Sequence, residues 1–210
     1  MAIIKGLHAD LVKDQFFSAM KKKGYVTFDG NKKFNLNIIG VRSDSHDATK
    51  FDDLMVVIYR DEDKEWTVNS YQITTDPGPS ILRKPINKKG TAILVPDQYR
   101  GTWKIGPHGK TRYTALTQRL GQVKVYRDDD KDRKLDMDSI TIDEGYFGIN
   151  IHKHASSYER EFVKGASAGC QVFKITEEFN EFMELCHISA DLFENSFTYT
   201  LLDEKDLCRD

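Results

Sequence analysis

Leu11, Val12, Phe16, Ala19 and Met20 recur at the three-to-four-residue spacing of one helix face, and the segment 9–23 ends in Lys21-Lys22-Lys23 with Gly24 behind it. That pattern predicts an N-terminal helix with a basic last turn and a glycine at its C′ position. From Tyr25 to about Ile151 the texture changes to short runs of β-branched and aromatic residues between turn residues. Strands are predicted at 34–41, 54–59, 66–74, 91–95, 102–105, 122–126 and 146–151. Helical spacing returns where Phe179, Phe182, Met183 and Cys186 share a face that Ala190 and Phe193 prolong, with Thr176 placed to cap it. A last strand at 197–202 precedes a charged tail. The predicted class is mainly β with flanking helices, an α+β architecture. One domain spans 25–210 behind a helical appendage at 1–24, since no repeat, low-complexity segment or Pro/Gly/Ser linker marks another boundary.

Composition narrows the partners. A chain of 210 residues with 39% apolar and 30% charged side chains is an ordinary globular mix that buries a core without disulfides. Thirty-one basic against thirty-three acidic residues leave a net charge of −2, too balanced to make nucleic acid or an anionic membrane the default partner. The longest apolar run, 54–59, has strand length, so no integral membrane contact is expected. Lys5, His8, Asp10 and Lys13 follow the first residues at once, with no signal-peptide core, and synthesis in a cytoplasm is expected. Cys170, Cys186 and Cys208 are odd in number and lack CxxC spacing, which argues against a disulfide framework or a zinc knuckle. A monomer without cofactors is the expectation.

The stretch Gly148-Ile-Asn-Ile-His152 alternates as a strand does and delivers an imidazole at its end. Fourteen residues separate it from Ser167-Ala-Gly-Cys170-Gln171, just ahead of the helix near Thr176. A strand-end histidine facing a cysteine where a loop turns toward a helix is how a Cys–His nucleophile pair is built. The thiol, with an ordinary pKa of about 8.5, has to be brought to the thiolate by an adjacent base, and helix-start amides favour the anion. Gly169 permits a tight turn that leaves the N–H groups of Gly169 and Cys170 to face a developing oxyanion. The plainer reading is a buried small hydrophobe and a hydrogen-bonded structural histidine. Cys186, on the apolar stripe of its helix, reads as core, Cys208 as incidental, and His154 as solvent-facing.

This constellation resembles the L,D-transpeptidase catalytic domain, in which a histidine, a spacer of similar length and the motif [ST]-H-G-C mark base and nucleophile. The specific likeness covers about 143–190 and implies a β-sandwich-like domain whose cysteine attacks an amide of a peptidoglycan stem peptide. It makes Cys170 the nucleophile and His152 the base. The Lys153 carbonyl becomes the group that orients the imidazole, the Gly169 and Cys170 amides the oxyanion donors, and Ser167 and Gln171 neighbours of the substrate. Thr75-Asp-Pro-Gly78 stands roughly where that family has a T-P-x-G turn. Two departures stand out: Ala168 replaces the family's histidine, and Gln171-Val172-Phe173 lacks the basic residue often found after the cysteine. Hydrolysis survives these losses better than cross-linking does. Asn35-Leu-Asn-Ile-Ile-Gly-Val-Arg42, Lys89-Gly-Thr-Ala-Ile-Leu-Val-Pro96 and Ser167-Ala-Gly-Cys-Gln-Val-Phe173 are also similar to a set of phage-encoded proteins of gut-bacterial viruses. That likeness implies an endolysin-like or virion-associated enzyme acting on the cell wall, released through a holin-type pore or carried on the particle.

Other residues offer alternatives. Tyr99, Arg100, Trp103 and His108 lie in a glycine-punctuated aromatic and basic stretch that reads either as a loop feeding the cysteine or as a hairpin with half-core aromatics. A muramidase on the same scaffold would use paired carboxylates, for which Asp143 and Glu144 are candidates, with Asp52, Asp53 and Asp76 in reserve. A non-catalytic wall-binding virion protein is the third class. Asp128, Asp130, Asp132 and Asp136 fall at positions 1, 3, 5 and 9 of a calcium-loop pattern. Arg133 replaces its turn glycine and Ser139 its bidentate glutamate, so the pattern reads as a solvated acidic turn or a weak calcium site.

Overall fold

A computed structural model describes residues 2–5, 7–154 and 161–207; Cys208 lies outside the described residues. Strand β1 (Ala2–Lys5) leads into α1 (Leu7–Lys22), which ends as its sequence predicts. Gly24 is left-handed at φ 75°, and the Tyr25 and Gly24 amides return to the Met20 and Lys21 carbonyls, a Schellman closure. Then come β2 (Asn37–Arg42), β3 (Asp53–Arg60), β4 (Trp66–Thr74) and the short helix α2 (Pro79–Arg83). They are followed by β5 (Thr91–Leu94), β6 (Gln98–His108), β7 (Tyr113–Gln118), β8 (Val123–Asp128) and β9 (Asp143–Gly145). The chain closes with β10 (Ile151–Lys153), β11 (Gln171–Phe173), α3 (Thr176–Leu192) and β12 (Phe197–Asp203).

Eight strands pair in the ring β4-β11-β10-β7-β6-β12-β2-β3 and back to β4, a barrel-like closure that leaves each of them a neighbour on both sides. β1 adds to β4 along Thr67–Ser70, just short of where β11 pairs with Ile73 and Thr74. A separate sheet runs β5-β8-β9. Most neighbours are antiparallel; β12 with β2 and β10 with β11 are parallel.

Alternation sorts the side chains. Ile38, Met55, Val57, Tyr71, Leu116, Ile151, Phe173 and Leu201 join one core cluster, to which α3 contributes Phe179, Phe182, Met183 and Cys186. Their neighbours Ile39, Val56, Ile58 and Leu202 point the other way, under Phe16, Phe17 and Met20 of α1. β2 is therefore buried along its whole length, which is why it reads as a continuous apolar run. Burying those three α1 side chains contributes several kcal/mol, at about 1.5–3 kcal/mol each. A small third cluster, Phe51, Val163 and Val172, packs against Ala166 and Cys170.

Two expected elements differ. The strand expected at 146–151 is instead an irregular segment ahead of β10, because one side chain takes the place of a partner strand. Gln118 Oε1 accepts from the Phe147 and Ile149 amides, and its Nε2 donates to the Gly121 and Gly145 carbonyls. Thr176 is the first residue of α3, not its cap; the N-cap position belongs to Ile175, which has no side-chain acceptor to offer.

Candidate active site

The parallel register sets Ile151 beside Gln171 and His152 beside Val172, so Cys170 lies beside Asn150. Side chains alternate across each strand. Ile149, Ile151 and Phe173 enter the main core, whereas Val172 and Cys170 belong to the third cluster on the other face, which Asn150 and His152 share by alternation. His152 and Cys170 are diagonal neighbours on paired strands, with Cα atoms about 8 Å apart by ordinary strand spacing.

The polar groups around them fix each other's orientation. Asn150 Oδ1 accepts from the Gln118 amide at 2.9 Å, which turns its Nδ2 toward His108 Nδ1 at 3.0 Å. His108 is therefore an acceptor at Nδ1, and its ring stacks on His152 with centroids 4.2 Å apart. His152 Nδ1 lies 2.8 Å from the Lys153 carbonyl, which can only accept. The proton therefore sits on Nδ1, leaving Nε2 as the basic nitrogen. Tyr113 Oη donates to the same carbonyl at 3.2 Å and stands 3.4 Å from His152 Nδ1. Burial, the neighbouring His108 and then His154 push His152 down to about 3, so it rests as a neutral base.

Cys170 precedes a strand rather than a helix, since β11 intervenes before α3. Its sulfur accepts from the Asn150 amide and donates to the Gly148 carbonyl, each at 3.4 Å. Burial pushes the thiol up to about 11, opposite to the helix-start effect anticipated from sequence. Among the described residues no hydrogen bond joins the thiol to either imidazole. The loop before it is clamped from within. Ser167 Oγ donates to the Cys170 carbonyl and accepts from the Gly169 amide, while the Ser167 carbonyl accepts from the Gly78 amide. Gly169 is left-handed at φ 108°, and a Cβ there would collide with the Ala92 carbonyl of β5. The turn Thr75-Asp-Pro-Gly78 thus abuts the cysteine loop.

Several predicted site residues lie elsewhere. Trp103 is fully buried and donates Nε1–H to the Ile149 carbonyl; Tyr99 donates to the Val95 carbonyl. Both are core, because β6 is a central barrel strand. Arg100 lies eight residues before His108 on β6, roughly 25 Å along a strand, and lines a different surface hollow. Gln171 points inward and accepts from Tyr199 Oη at 2.8 Å. Ser167 and the Gly169 amide are engaged inside the loop. His154 is buried, with Phe51 edge-on to its ring, because residues two apart share a strand face and His154 follows His152 under the third cluster.

Asp143 is paired with Lys89 and Arg127, which hold its carboxyl below the usual range; Glu144 is its exposed neighbour on β9. Asp53 and Asp76 are sealed inside with Arg42, whose Nε lies 3.0 Å from Asp76, and burial together with Asp76 pushes Asp53 up to about 7. Asp128, Asp130 and Asp136 converge, while Asp132 accepts from the Lys134 amide and lies outside the trio.

Ala168 borders a cleft of about 270 Å³ whose lining includes Ile81, Ile86, Arg127, Tyr146 and Phe147. Ile86 and Tyr146 on its wall are exposed. His108, a candidate from the sequence, lies at the site, and Asn150, Tyr113 and Gln118, which the sequence did not single out, complete it; only the meeting of β6, β7 and the segment entering β10 reveals those three. Comparison with protein-family profiles, curated proteins and solved structures gives no match to this chain. Among the described residues no helix is long and apolar enough to cross a membrane.

Proposed function

We propose that this chain is a peptidoglycan hydrolase, endolysin-like in use, that cuts a stem-peptide amide through Cys170 and His152. The observation that carries the reading is the pairing of β10 with β11, which sets a neutral imidazole, basic at Nε2, diagonal to a half-buried thiol. In this mechanism His152 Nε2 takes the thiol proton as the sulfur attacks the carbonyl carbon of the amide. The imidazolium then returns that proton to the departing amine, leaving a thioester on Cys170. Water, deprotonated by the same nitrogen, releases the acid product. Lys153 and Tyr113 keep Nδ1 engaged throughout, so Nε2 remains the basic nitrogen.

The carboxylate alternative finds less support. Asp143 is neutralised by its cations, and Asp53 and Asp76 are closed off from solvent. The cleft beside Ala168 supplies an apolar, aromatic wall next to the cysteine loop, suited to seating a peptide arm.

Mass spectrometry of purified sacculi digested by wild type, Cys170→Ala and His152→Ala tests the assignment. Shortened or separated stem peptides with wild type, and none with either variant, are expected. New reducing ends that persist in Cys170→Ala would instead establish a muramidase, and binding without any release would establish a wall-binding module.

A further inference from the structure

Asp128 closes β8 opposite Thr91, and its side chain is almost entirely withdrawn from solvent. One carboxylate oxygen accepts from the Asp136 amide at 3.1 Å; the other, Oδ1, is buried without a hydrogen-bond partner. A buried carboxylate oxygen left in that condition costs on the order of 1–3 kcal/mol unless something positive meets it. The carboxyl group's neighbours are acidic. Carboxylate oxygens of Asp128, Asp130 and Asp136 all lie within 4.8 Å of one another. No lysine or arginine is paired with any of these three carboxylates among the described residues, and the nearest ion pair, Lys134 with Asp132, lies outside the trio.

We propose that Asp128, Asp130 and Asp136 form a binding site for one calcium ion at the end of β8. Hard oxygen ligands on an irregular loop suit calcium, which accepts six to eight oxygens in loose geometry, better than magnesium, which demands a near-ideal octahedron. Three carboxylates supply part of that shell, and water or backbone carbonyls supply the rest. The two sequence departures fit the geometry found. Arg133 takes up the left-handed turn itself at φ 79°, so the missing glycine does not prevent the loop from closing. The missing glutamate leaves the outer side of the site open to water, which sets a low affinity.

The test is calorimetric titration of chelator-treated full chain with calcium chloride, with terbium luminescence and thermal melts in parallel. One saturable site per chain is expected, with a dissociation constant on the order of 10⁻⁴–10⁻³ M. Melting should rise by roughly 3–5 °C near saturation. Asp130→Asn and Asp136→Asn, both on the exposed side of the trio, should each weaken binding about tenfold or more. Asp128→Asn should abolish binding while matching or exceeding wild type in stability without calcium, since it removes a buried charge. Equal occupancy by magnesium at the same concentration would overturn the calcium assignment. Absence of saturable binding up to about 10 mM calcium, or binding unchanged in the Asp130→Asn, Asp136→Asn double variant, would overturn the site itself.

Discussion

The backbone amide of Asn150 donates to the Cys170 sulfur at 3.4 Å, while the Asn150 side chain donates to His108 at 3.0 Å. A single residue thus sets the position of the sulfur through its main chain and the tautomer of a neighbouring ring through its side chain. Asn150→Ala separates the two roles. It strips the acceptor from the Gln118 amide and the donor from His108, and a loss of about 1–3 kcal/mol in urea denaturation is expected. Alkylation of Cys170 should stay near the wild-type rate; a large change would mean that the side chain rather than the amide holds the sulfur.

Acid should expose His152. Its folded pKa of about 3 lies below the unfolded value of about 6.5, so its contribution to stability is fully present above pH 6.5. That contribution is lost as pH falls toward 3, at up to ~1.4 kcal/mol per pH unit. Asp53, raised to about 7 by burial and Asp76, works in the opposite sense over part of this window. Wild type must therefore be compared with His152→Gln. Between pH 6.5 and 4 the variant's stability curve should be flatter by about one proton; parallel curves would sink the assignment.

The thiol should behave as a thiol. With Cys170 pushed up to about 11, its thiolate fraction climbs about tenfold per pH unit through the alkaline range. Iodoacetamide labelling, followed on the peptide that carries Cys170, should still be rising steeply between pH 8 and 10. A plateau near neutrality would reveal a resting thiolate paired with an imidazolium.

Two left-handed glycines near the site should respond differently to alanine. At Gly148, φ is 71° and nothing lies within 4 Å of an added Cβ, so only the backbone conformation objects, at about 1–2 kcal/mol. At Gly169 the same methyl strikes the Ala92 carbonyl, a backbone atom that cannot step aside. Gly169→Ala should cost clearly more than Gly148→Ala in thermal melts and should abolish sacculus digestion. Equal costs would show that the cysteine loop is not seated on β5.

Much of this architecture was readable beforehand because its signals are local. The α1 stripe with its terminal glycine, the α3 stripe with Cys186, and the long runs of β2, β3 and β4 each carry their period within the element. The strands β9, β10 and β11, at three residues apiece, are too short to show a period. β7 alternates too weakly between threonines to stand out. The spacing of His152 and Cys170 pointed to a pair, and the parallel strands make them neighbours. What surrounds the pair was hidden, because Trp103 and Tyr99 look like ligand-facing aromatics until barrel closure makes β6 an interior strand. His108 and Tyr113 reach the site only through the β6–β7 hairpin.

Gln118 leaves one further consequence. Its primary amide presents oxygen to two N–H groups and nitrogen to two carbonyls, joining the barrel to the smaller sheet at Gly145. Hydrolysis of that amide to the acid, the slow chemical ageing to which glutamine is subject, would turn the donating end into an acceptor facing carbonyl oxygens. The protein's shelf life as a folded object therefore depends on a covalent bond that takes no part in the proposed chemistry.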